Sequence, residues 1–222
     1  MPGGWAMSMV WMRMSGQTWF GAAASFVGMW IVMMAAMMLP SLVPMLRRYR
    51  QAVNDARETR LARLTALVVA GYFAVWTAIG VAVFPVGATL AAIEIQRPAL
   101  ARAIPFAIGA VVLVSGLLQY TEWKARHLVS WRMSPARSHT LPADAGTAWR
   151  HGLRLGVHCS YCCAGLTAIL LVMGLMDLRV MAFVTTAITV ERLAPAGERA
   201  ARGIGTVVVC GGIFLIARAA GL

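Results

Sequence analysis

The chain has 222 residues, 60% of them hydrophobic and 13% charged, with a formal net charge of +12. A soluble domain carries about 25% charged residues, so this composition excludes an ordinary soluble globule and points to an all-α, polytopic transmembrane helical bundle. The basic residues fall between apolar runs, where the positive-inside rule puts them; nucleic acid is therefore excluded as a partner, and the lipid bilayer takes its place.

A membrane helix needs roughly 20 mostly apolar residues. Six such runs are predicted, at 20–46, 64–84, 105–123, 156–173, 178–190 and 203–219, forming one transmembrane domain over 1–222. No cleavable signal peptide is expected, because Arg13 lies too late for a basic leader. The first run holds the densest methionine group, Met29, Met33, Met34, Met37 and Met38, with Met45 beyond. Met29, Met33 and Met37 form an i, i+4 row, and Met34 and Met38 form another. Such a row suits either core filling or a thioether path for Cu(I). Pro40 and Pro44 lie inside this run, where each removes an intrahelical hydrogen bond.

Pro85 is expected to end the second helix and Pro105 to open the third. Glu122 and His127 flank the end of the third, and Glu191 closes the fifth. Glu191 is read as an interfacial ion-pair partner for Arg192 or Arg199, or as a ligand. The residues Gly174 to Arg179 predict a tight turn between helices four and five, since one continuous helix would be too long for a bilayer of about 30 Å. In the sixth run, Gly203, Gly205, Gly211 and Gly212 predict close helix packing, and Cys210 beside them is read as a packing residue.

The loop after helix one holds Arg47, Arg48, Arg50, Arg57, Arg60 and Arg63, and the loop after helix three is also basic. The loop after helix five holds Arg192, Arg199 and Arg202, whereas the intervening loops are poor in arginine. This alternation places both termini on the non-cytoplasmic side. Most candidate ligands then fall near the inner leaflet.

The sharpest local signal is His158-Cys159-Ser160-Tyr161-Cys162-Cys163. Cys159 shares a helical face with Cys162 and Cys163, three and four residues on. Cys162 and Cys163 are about 100° apart, so one ion need not bind both. His158 lies four residues before Cys162. Free cysteines also serve as small buried hydrophobes. Clustered thiols with imidazole and thioether favour copper first and zinc second. Candidate ligands are Cys159, Cys162, Cys163, His158, His127, Met37, Met38 and Glu191. The chain has no phosphate-binding glycine loop, no metalloprotease histidine pair and no evident Ser-His-Asp arrangement, so no enzyme is expected.

The order of motifs is distinctive. Met33-Met34-Ala35-Ala36-Met37-Met38-Leu39-Pro40-Ser41 comes first, then Tyr120 and Lys124, then Gly152-Leu153-Arg154-Leu155-Gly156 leading into Cys159-x-x-Cys162-Cys163. Gly174-Leu175-Met176-Asp177-Leu178, Met181-Ala182 and Glu191 follow. Over about residues 29–195 this resembles a bacterial family of uncharacterised integral membrane proteins described as predicted metal-binding. The resemblance implies a multi-pass protein of the bacterial inner membrane that binds a metal. His127 and Trp131 stand where many members carry two cysteines, so His127 is the candidate replacement ligand. The expected function is copper handling: transfer, transport or supply to a cuproprotein. The alternative is a structural or assembly subunit of a larger membrane complex.

Overall fold

The computed structural model describes residues 11, 16–53, 57–96, 103–126, 144–175, 177–194 and 196–221. They form an all-α bundle with six long helices: α1 Trp19–Ala52, α2 Glu58–Gln96, α3 Ile104–Leu118, α4 Ala145–Met173, α5 Leu178–Leu193 and α6 Gly197–Ala220. This is the architecture expected from the apolar runs. Helices α1, α2, α4 and α6 are long and apolar enough to cross a membrane. The 15 residues of α3 rise only about 22 Å, less than a bilayer core of about 30 Å.

Several helices run further than the apolar pattern marks. Pro85 lies inside α2 rather than at its end, as membrane helices allow when neighbours re-satisfy the freed backbone groups. The first part of α4 precedes its apolar run and carries the exposed Arg150 and Arg154. Asp144 caps it, its carboxylate accepting from the backbone N–H groups of Gly146 and Thr147 at 3.0 and 3.1 Å. Gly174, with φ of +121°, ends α4, and the Asp177 carboxylate caps α5 by accepting from Arg179 N at 2.8 Å. The chain thus turns tightly between α4 and α5.

Helix α4 is the hub, packing on α2, α3 and α5, while α1 packs on α2 and α5, and α6 on α3 and α5. Bilayer-type association relies on close backbone approach at small residues. A Cβ at Gly156 would sit 2.9 Å from the Tyr72 carbonyl oxygen, which is why α2 can lie against α4 there. A Cβ at Gly212 would meet Leu113 N of α3 at 2.7 Å, so α3 and α6 form a second close seam. Gly205 serves the same seam, but Gly203 and Gly211 have open space around the Cβ position. Cys210 is exposed, which corrects its reading as a packing residue: the seam uses the opposite face of α6. On the other flank, the Trp30 indole N–H donates to the Trp76 carbonyl at 2.8 Å, tying α1 to α2.

Candidate metal centre

The methionine row of α1 faces inward. Met33, Met34, Met37, Met38 and Met45 are all buried. Ser41 lies three residues after Met38, on the same helical face, and its hydroxyl donates to the Met38 carbonyl at 3.0 Å. Cys159 is the central residue of α4, but it lies only five residues, about 7.5 Å of helical rise, from the exposed Arg154. The ring of His151, one turn earlier still, stacks on Tyr49 of α1 at 5.4 Å. His151 is therefore on the helix, and the arginine-bearing ends of α1 and α4 adjoin.

Sulfur atoms from two separate helices meet here. Cys159 Sγ lies 3.8 Å from Met38 Sδ and 2.8 Å from the Tyr72 hydroxyl of α2. Four residues on, Cys163 faces the same way. The Arg192 guanidinium of α5 joins them: Nη2 donates to Cys159 Sγ at 3.0 Å and to Cys163 Sγ at 2.9 Å, and Nη1 donates to the Ser41 hydroxyl at 3.1 Å. All these groups are buried; Cys159 and Met38 have no exposed surface at all. Ionisable groups this deep in an apolar bundle are costly unless they are paired or hydrogen-bonded.

A second buried cluster adjoins the first. Lys124 Nζ lies 2.8 Å from Glu191 Oε2 and donates to the Cys162 carbonyl at 2.6 Å. Gln119 donates to the other Glu191 oxygen at 2.9 Å. The break after α3 makes this reach feasible: residues 119–121 tighten into i→i+3 hydrogen bonds, and a further helical turn then presents Lys124. Glu191 and Arg192 are neighbours in sequence, about 100° apart on α5. The first therefore serves the α3 side and the second the sulfur side. A cavity of about 70 Å³ opens beside Lys124, lined in part by Gln119, Tyr120, Glu198 and Arg202.

The remaining expected ligands are placed as follows. Cys162 is buried, and its backbone carbonyl accepts from Lys124 Nζ. Met37 is buried on α1 next to Met38. His158 is partly buried on α4. His127 lies outside the described residues. Among the described residues, no group of three His, Cys, Asp or Glu side chains is arranged to hold a metal. What converges instead is a sulfur set: two thiols and one thioether. Zinc favours four tetrahedral ligands from thiolate, imidazole or carboxylate, which this set does not supply. Soft sulfur donors in low number suit Cu(I).

Residues 27–215 match the protein family PpoB2, described as a copper chaperone. The chain belongs to this copper chaperone family. No curated protein and no solved structure matches it.

Sequence reasoning misses Tyr72, assigns Arg192 and Ser41 no contact with the thiols, and gives Lys124 no structural role. The sequence suggests Arg192 or Arg199 as an interfacial ion-pair partner of Glu191; the structure corrects this, because Glu191 is buried and pairs with Lys124. The one sequence signal of Arg192 is position: it closes an apolar helix beside an acidic residue and has no exposed face left once Glu191 turns to Lys124. Tyr72 carries no signal of its own, because an isolated tyrosine in an apolar run is common.

Proposed function

We propose that this chaperone family member is an integral membrane protein that holds Cu(I) between Cys159 and Cys163, with Met38 as a third, weaker sulfur donor, and passes it to a cuproprotein. The observation that carries this reading is the meeting of Cys159 Sγ with Met38 Sδ across two helices at 3.8 Å, with Cys163 on the same face. Copper is the cargo. Thiolates give retention, and thioethers bind weakly enough to release it by ligand exchange. The buried methionines of α1 and the adjacent Cys162 provide exchange positions on either side, with His158 as a further donor toward the arginine-bearing end; His127 stays a candidate ligand by its chemistry alone. Glu191 serves the lysine network rather than the ion.

The single transmembrane domain sits in a bacterial inner membrane with both termini on the non-cytoplasmic side, because the arginine-rich loops then face the cytoplasm. The junction lies just inside that face, within reach of a soluble or membrane-bound acceptor. The experiment is metal analysis of full-length protein purified in detergent and loaded with Cu(I). Wild type retains copper after desalting. C159S/C163S, which lacks both retaining thiols, retains none. Equal copper in the double variant would end the proposal.

A further inference from the structure

Copper binding by two cysteines does not by itself explain why a guanidinium is buried among them. An arginine at this depth is expensive and persists only where its charge is used. Among the described residues, the buried charged side chains are Lys124, Glu191 and Arg192. Lys124 and Glu191 pair at 2.8 Å and their charges cancel, one plus against one minus. Arg192 therefore leaves the buried side chains among the described residues with one net positive charge, and its Nη2 directs that charge to Cys159 and Cys163 together, at 3.0 and 2.9 Å.

We propose that Arg192 is a specificity-determining residue that sets the charge of the cation the Cys159–Cys163 pair accepts, favouring a monovalent soft ion over a divalent one. The inference rests on the copper reading given above. Metal-bound cysteines are thiolates. A monovalent ion with two thiolates carries one net negative charge, and with Arg192 the buried assembly is neutral. A divalent ion with the same two thiolates is already neutral, and the arginine charge is then left uncompensated in a low-dielectric interior, where such charges are most costly. Met38 acts in the same direction, since a thioether adds a donor without adding charge. Ser41 holds Nη1 at 3.1 Å, so the guanidinium stays oriented toward the sulfurs.

The test uses Ag(I) as a redox-inert monovalent probe and Cd(II) as a divalent thiolate probe. Both are titrated into full-length detergent-purified protein and followed by metal–thiolate absorption. In R192Q the preference for Ag(I) over Cd(II) falls by about tenfold or more relative to wild type. In R192K, which keeps the charge, it stays within about threefold. An unchanged preference in R192Q overturns the proposal, as does an R192K preference shifted as far as that of R192Q. Should R192Q fail to accumulate as folded protein, R192K decides alone: a shift beyond about threefold is the contradicting result. The C159S/C163S variant separates the two levels of failure. Absorption bands that survive in it would remove the site itself, and this inference with it. Bands lost there, with R192Q equal to wild type, would remove only the role of Arg192.

Discussion

The chain carries cysteines in two settings that differ in almost every physical respect. Cys159 and Cys163 lie in the hub helix, buried, touching a guanidinium and, for Cys159, a phenol and a thioether. Cys210 lies on the outward face of α6, the helix whose glycines make a close seam with α3. The seam around α6 is closed at glycines, and among the described residues α6 contributes no buried charged side chain to it. The hub is built from polar and sulfur groups that an apolar core would not otherwise tolerate. The contrast teaches that thiol count says little here. What separates a site from packing is the expensive neighbourhood that a thiol keeps.

That contrast can be broken most sharply at the cysteines themselves. Replacing Cys159 and Cys163 with serine removes all retained Cu(I), whereas C210S binds copper as wild type does; loss of copper in C210S would erase the distinction between the two regions. The next largest effect concerns the stability of the hub. K124M leaves Glu191 buried without its cation, which costs about 3–5 kcal/mol and lowers the thermal midpoint in detergent well below that of wild type. A K124M midpoint equal to wild type would mean that the pair is not closed as described. The smallest effect belongs to Met38. M38L keeps the volume, so stability changes by less than about 1.5 kcal/mol, while Cu(I) affinity in competition with a chelator falls by roughly tenfold. An affinity unchanged by M38L would reduce the site to its two thiols.

Much of the fold was legible because apolar length is a strong signal: the six runs correspond to six helices, and Gly174 with Asp177 marked the turn between α4 and α5. The helix limits were less legible. The start of α4 carries Arg150 and Arg154, so an apolar criterion began it at Gly156, although Asp144 caps it more than two turns earlier. Pro85 looked like a terminator and is an interior residue. In the site, Cys159 and Cys163 could be paired from their i, i+4 spacing, and the methionine row could be set against them by chemistry alone. The polar shell could not be read in this way. Arg192 meets Cys159 from 33 residues away and Ser41 from 151, and Lys124 reaches the Cys162 carbonyl from 38. No periodicity encodes such partners; helix packing at Gly156 and the break after α3 create them.

The central claim is that Cu(I) sits among sulfur atoms contributed by α4 and α1. X-ray absorption at the copper edge of the loaded full-length protein tests it most directly. The account predicts Cu(I) with a first shell of sulfur only, two to three atoms, reduced in M38L and absent in C159S/C163S. A first shell dominated by nitrogen or oxygen, or a sulfur shell unchanged in C159S/C163S, would contradict it.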